Sequence, residues 1–153
     1  MTQTKPYSLT KGIYTKIILL KRLKAYWWLY IIMFFLGLFH LQAFGQDKLT
    51  DFLAIFLLIY PISVFVYLYF WTNSKGHNPI FKEMNLSFDD SFLYFKREDS
   101  ESKLNPKIIK KIISKSDYWL LYISKAQFIY IPKHIFNSNE DLESFSNVIG
   151  DKM

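Results

Sequence analysis

Residues 52–71 read FLAIFLLIYPISVFVYLYFW, and residues 25–44 read AYWWLYIIMFFLGLFHLQAF; neither stretch contains Asp, Glu, Lys or Arg. An α-helix of about 20 residues covers about 30 Å, which is the hydrocarbon thickness of a bilayer. Pro61 is expected to kink the second helix without ending it, since packing against a neighbouring helix compensates for the lost hydrogen bond. The sequence therefore predicts two transmembrane helices.

The segment between the two spans, residues 45–51, is short enough to require an antiparallel hairpin, with Thr50 or Asp51 as the expected N-cap of the second helix. Residues 1–24 carry six basic side chains and no acid, whereas the turn carries a single lysine. The positive-inside rule then places both termini in the cytoplasm and the turn in the periplasm. We expect a multi-pass protein of the bacterial inner membrane, with Trp27, Trp28 and Trp71 at the inner interface. A cleaved signal peptide is disfavoured because the first apolar run is too long.

Charge and cysteine content exclude several function classes. The chain has no cysteine, which rules out disulfides, thiolate metal sites and a cysteine nucleophile. The net charge of +6 arises almost wholly from residues 1–24, because residues 72–153 carry 12 basic and 11 acidic side chains. A nearly neutral C-terminal region does not favour a nucleic-acid partner.

After a linker at residues 72–79, residues 80–153 are predicted to form a small α+β cytoplasmic domain. Five short strands are expected in antiparallel meander order, at residues 84–88, 91–97, 107–115, 118–124 and 127–132, with residues 97–106 as a polar loop. Pro132 is expected to end the last strand, and Asn137 or Ser138 to cap a C-terminal helix. Leu142, Phe145 and Ile149 recur at helical spacing, so this helix should pack on the sheet and bury Phe136 and Phe145.

Two segments carry a resemblance to a known family. YSLTKGIYTKIILLK precedes the hairpin at residues 7–21, and DYWLLYISKAQFIYIPKHIFNSNEDLESF follows it at residues 117–145. This arrangement resembles the YcxB-like family of small bacterial membrane proteins, most specifically in the pattern Ile131-Pro132-Lys133-x-x-Phe136. The resemblance implies a two-span anchor with a cytoplasmic β-rich domain of pleckstrin-homology-like architecture, and it implies no activity.

Two groups of residues are candidates for binding. The cluster Lys16, Lys21, Arg22 and Lys24 matches anionic lipid headgroups, although topology alone also explains it. Lys133 and His134 are candidates for binding a partner from the corner before the C-terminal helix; if that corner is only structural, both should point from an exposed position. The alternation of Lys and Ile over residues 107–115 is typical of a half-exposed strand, which we favour over lipid or nucleic-acid binding.

Signals for catalysis and metal binding are weak. His40, His77 and His134 lack ligand residues at helical spacing, and His40 is expected near the outer membrane interface. Asp89 and Asp90 fit a turn better than an acid pair. We expect no cofactor, no metal and no enzymatic activity.

The composition as a whole favours a non-enzymatic, membrane-anchored binding or adaptor protein. Its partners would be the lipid bilayer and either another protein or an anionic lipid headgroup. The alternative is a small membrane immunity protein that protects against a toxin.

Overall fold

The computed structural model describes residues 1–98 and 100–150. The chain divides into two compact units: Thr10–Ile80, here called the helical unit, and Met1–Leu9 with Phe81–Met153, here called the sheet unit. The second grouping is unexpected, because the sequence predicted no structure for the first nine residues. The sheet unit is therefore built from both sides of the helical segment.

Two long helices make up most of the helical unit. Helix α1 (Lys11–Leu41) follows the N-cap Thr10, whose Oγ1 accepts the Ile13 N–H at 3.3 Å. Helix α2 (Lys48–Thr72) runs unbroken through Pro61. The expected N-cap of α2 is wrong: the helix begins one turn earlier, and Asp47 Oδ1 accepts the N–H groups of both Leu49 and Thr50 at 2.9 Å.

Small residues bring α1 and α2 close together. A Cβ added to Gly37 would lie 2.7 Å from Leu58 Cγ, so the glycine permits the close approach of the two helices. The rings of Tyr30 and Phe65 pack at 5.5 Å between centroids. The hydroxyls of Thr15 and Thr72, both buried, lie 2.9 Å apart and satisfy each other. These contacts fix an antiparallel hairpin, as the short turn predicted.

Within residues 1–98 and 100–150, the sheet unit has seven strands in two antiparallel sheets, so the expected single five-stranded meander is wrong in the number of strands and of sheets. The first sheet has the order β1-β2-β3-β4, and the second has the order β5-β6-β7. The strands are β1 (Thr2–Gln3), β2 (Asn85–Phe88), β3 (Leu93–Arg97), β4 (Ser100–Leu104), β5 (Lys111–Ser114), β6 (Tyr118–Tyr122) and β7 (Phe128–Pro132).

Two of the differences arise in the middle of the chain. The segment expected to be a polar loop forms β4, an edge strand whose first four residues are exposed and which therefore carries no apolar alternation. The expected strand at residues 107–115 is shorter, because Pro106–Ile108 form a 3-10 turn and only Lys111–Ser114 pair with β6. The extent of both strands is therefore set by hydrogen bonding to the neighbouring strand rather than by the local pattern of apolar residues.

The N-terminal segment forms the outer edge of the first sheet. Strand β1 pairs antiparallel with β2, and Tyr7 forms a further bridge with Met84. The Lys5 N–H donates to the Ile135 carbonyl oxygen at 2.9 Å, and Asn137 Nδ2 donates to the Gln3 carbonyl oxygen at 3.0 Å. The first residues of the chain are thus joined to segments that follow the hairpin.

An aromatic cluster forms the core of the sheet unit. Phe88 from the first sheet and Trp119 from the second both pack against Phe145, with ring centroids 5.2 and 5.4 Å away. Phe145 is fully buried on helix α3 (Asn139–Ile149), and Phe136 lies 5.1 Å from it. Ser138 caps α3 by accepting the Asp141 N–H at 3.1 Å. The expectation that α3 packs on the sheet and buries both phenylalanines is confirmed.

Candidate functional site

The helices of the hairpin expose most of their apolar side chains. Only 11% of the most apolar window of α1 and 6% of that of α2 are buried. Exposed rings include Phe35, Phe39, Phe52 and Phe70. Both helices are long and apolar enough to cross a membrane, and this low burial differs from that of a core helix in a soluble domain.

Three tryptophans are exposed on the hairpin. Trp27 and Trp28 are 55% and 53% exposed near the middle of α1, and Trp71 is exposed near the end of α2. The contact between Thr15 and Thr72 places Trp71 beside the start of α1, roughly 16 Å along the helix axis from Trp27. The three rings therefore lie at two levels of the hairpin rather than at one.

The predicted basic cluster lies on α1 between the level of Trp71 and that of Trp27. Lys16, Lys21 and Lys24 are exposed and fall within an arc of about 140° around the helix axis. Arg22 is placed differently: its Nε donates to Tyr30 Oη at 3.2 Å, and its guanidinium lies 4.0 Å from the centre of the Tyr26 ring. The three lysines are exposed, and Arg22 contacts two tyrosines of its own helix.

The predicted corner lies in a 3-10 turn, Lys133–Ile135. His134 is exposed, as expected. Lys133 is half-buried: its Nζ lies 4.7 Å from the centre of the Trp119 ring and donates to Ser114 Oγ at 3.4 Å. The expectation of an exposed Lys133 needs correction, because this side chain covers a core tryptophan. A partner-binding role of the corner stays a prediction.

The carboxylate of Asp89 is occupied within the β2–β3 turn. Its Oδ1 accepts the N–H groups of Ser91 and Phe92 at 2.8 Å, and its Oδ2 accepts the Tyr94 hydroxyl at 3.0 Å. The Ser91 hydrogen bond is the largest cause of a lowered pKa for Asp89. Among residues 1–98 and 100–150, no three His, Asp or Glu side chains lie close enough to hold a metal ion.

An open cleft of about 620 Å³ lies in the sheet unit and was not predicted. It combines lysine, arginine and glutamate side chains, so both charge signs face one space. Its lining comes from separate segments: Pro6, Lys82, Glu83, Asn85, Lys96, Arg97 and Glu98. No motif in the sequence indicated that these separate segments of the chain come together in one cleft.

The exposed apolar hairpin and the antiparallel sheet unit define the class: a small protein with two candidate membrane spans and an α+β domain. Residues 88–149 match the family model described as YcxB-like protein, which confirms the resemblance of the segment at residues 117–145. The match extends from the end of β2 to the end of α3, so it covers most of both sheets and does not include the hairpin. No curated protein and no solved structure matches the chain.

Proposed function

We propose that this chain is a non-enzymatic protein of the bacterial inner membrane, in which a two-span hairpin anchors a cytoplasmic binding domain. The exposed apolar surfaces of α1 and α2 support the anchor, since a bilayer is the environment that covers such surfaces. The lysines in the N-terminal half of α1 support a cytoplasmic location for the end of the hairpin away from the turn.

The observation that carries the proposal is the pairing of residues on either side of the hairpin. Tyr7 precedes both helices, Met84 follows both, and each donates its N–H to the other's carbonyl oxygen, at 2.9 and 2.8 Å. Backbone segments joined in one sheet lie on one side of a membrane. A hairpin with both flanks on the same side must cross an even number of times, which agrees with two spans.

The sheet unit supports a binding role. Two antiparallel sheets followed by a C-terminal helix fit the pleckstrin-homology-like architecture that the family resemblance implies. For the anchor itself, we propose that Lys16, Lys21 and Lys24 bind the phosphates of anionic lipid headgroups beside the tryptophans. Each such lysine contributes about 1 kcal/mol near an anionic surface.

Reporter fusions test the topology. A reporter active only in the periplasm should be silent after Met1 and after Met153, and active when inserted between Gly45 and Lys48. A bright reporter at either terminus would contradict the arrangement.

Two exposed lysines, one in the basic cluster and one beside the turn, test headgroup binding. After purification from membranes in mild detergent, Lys24→Gln should retain less phosphatidylglycerol than the parent chain, measured by mass spectrometry. Lys48→Gln, a matched change at the first residue of α2, should retain as much as the parent. Equal retention by both variants would contradict the role of the lysine cluster.

A further inference from the structure

Ile108 is an unusual residue in the sheet unit. Its side chain is 47% exposed. Among the described residues of this unit, Met1 is the only other large apolar residue with an exposed side chain. One exposed isoleucine is common on a protein surface, so its meaning depends on how it is held and on what surrounds it.

Ile108 is held in a fixed turn. The Lys107 N–H donates to Asn105 Oδ1 at 2.9 Å, and the Ile108 N–H donates to the Asn105 carbonyl oxygen at 3.1 Å. On the far side, the Lys110 N–H donates to the Tyr122 carbonyl oxygen of β6 at 2.8 Å. Because both ends of the turn are bonded, Ile108 is presented from a rigid site.

The stretch of sequence around Ile108 is basic. Residues 105–116 contain four lysines and no acid. These lysines, Lys107, Lys110, Lys111 and Lys115, are all exposed. An exposed apolar side chain in a turn, with lysines before and after it in the chain, matches the chemistry of a bilayer interface, where acyl chains lie beneath a layer of phosphates.

Strand periodicity does not account for the exposure of Lys107 and Ile108. A half-exposed strand would place alternate residues inside the sheet, but β5 begins only at Lys111. Lys107 and Ile108 lie in the 3-10 turn Pro106–Ile108 before it, so their exposure does not follow from strand alternation.

We propose that the turn Lys107–Lys111, here called the basic turn, docks on an anionic bilayer surface. Ile108 enters the boundary between headgroups and acyl chains, while the flanking lysines contact lipid phosphates. The inference rests on the proposed function, since the anchor keeps the domain close to a membrane. Each lysine contributes about a fivefold factor to the docking equilibrium.

A fluorescent label at position 108 tests the proposal in the full chain. The protein has no cysteine, so Ile108→Cys accepts a single environment-sensitive NBD label. The protein is placed in nanodiscs of phosphatidylcholine, with or without phosphatidylglycerol. Ser100→Cys, at the exposed start of β4 and so at the end of that strand away from the turn, carries the same label as a control.

We expect the emission at position 108 to shift to the blue and to be quenched by doxyl-labelled lipids in phosphatidylglycerol nanodiscs, and to lose both effects in high salt. The label at position 100 should not respond. In the chain labelled at 108, replacing Lys107, Lys110 and Lys111 with Gln should weaken docking by about two orders of magnitude.

The proposal is overturned if the label at 108 stays in water in both lipid compositions, or if the triple lysine variant docks as well as its parent. It is also overturned if the label is shielded only when RNA or another soluble polyanion is added. Failure of the anchor is a separate result, because a chain that does not insert would elute without nanodiscs before any emission is measured.

Discussion

Tyr7 offers the sharpest test of the finding that the N-terminus is part of the sheet unit. Its side chain is only 5% exposed and pairs through the backbone with Met84. Burial raises the pKa of the Tyr7 hydroxyl, while Arg97 opposes this shift and Tyr130 adds to it, so both side chains lie near enough to act on it. Tyr7 is therefore expected to be a core residue of a domain that follows it by more than 70 positions.

The magnitude follows from two opposing contributions. Truncating a buried aromatic side chain to alanine costs about 3–5 kcal/mol. However, Tyr7 Oη is buried without a hydrogen-bond partner among the described residues, and losing such a group recovers about 1 kcal/mol. Tyr7→Ala should therefore reduce the free energy of unfolding by about 2–4 kcal/mol, whereas Tyr7→Phe should leave it unchanged or raise it by about 1 kcal/mol.

The assay uses a chain in which a Gly/Ser linker replaces residues 10–80. Because Tyr7 pairs with Met84, the ends at Leu9 and Phe81 lie at most about 22 Å apart, which a linker of about ten residues spans. Urea unfolding followed by circular dichroism gives the free energy. Ser8→Ala, at an exposed neighbouring position, is the control and should change it by less than about 0.5 kcal/mol.

The reasoning is refuted if Tyr7→Ala and Ser8→Ala unfold at the same urea concentration. It is also refuted if residues 81–153 alone, without the N-terminal segment, are as stable as the linked chain. A domain of this size has a total stability of about 4–12 kcal/mol, so loss of this contact should be a large fraction of it.

Three further predictions concern the core, the hairpin and the β2–β3 turn. In the linked chain, Phe145→Ala should cost about 3–5 kcal/mol by urea unfolding, because Phe145 packs on both sheets, while the exposed Ser144→Ala should be nearly neutral. In the full chain in detergent, Gly37→Ala should lower the free energy of unfolding, measured by thermal unfolding, by about 1–3 kcal/mol, because its Cβ would meet Leu58. Gly12→Ala is the control, since a Cβ there meets open space and should not lower the free energy of unfolding. Because the pKa of Asp89 is lowered in the folded state, its carboxylate stabilises the fold above the unfolded-state pKa, and this contribution is lost as the pH falls through the folded-state pKa. The linked chain with Asp89→Asn should therefore lose less stability on acidification than the parent linked chain. An unchanged pH profile of stability would contradict this.

Several parts of the fold could be predicted because their signals are local. The apolar runs at residues 25–44 and 52–71 became α1 and α2, since about 20 apolar residues in succession need only their own composition to indicate a span. The break at Pro132 and the cap at Ser138 likewise marked the end of β7 and the start of α3. Among the candidate site residues, exposure of Lys16, Lys21, Lys24 and His134 follows the sequence, but engagement of Arg22 and Lys133 with aromatic rings depends on neighbours.

By itself the sequence determined the hairpin, the C-terminal helix that packs through Phe145, and the family to which residues 88–149 are similar. Tertiary structure alone decided that Thr2–Gln3 completes a sheet with residues after the hairpin, and that polar β4 is a strand. It also decided that Ile108 is exposed in a 3-10 turn. The physical reason is that a strand of two to five residues gains its hydrogen bonds from a partner elsewhere in the chain. The residues of such a strand need no alternation of apolar and polar side chains. In an edge strand exposed to water this alternation is absent, so the sequence does not indicate the strand.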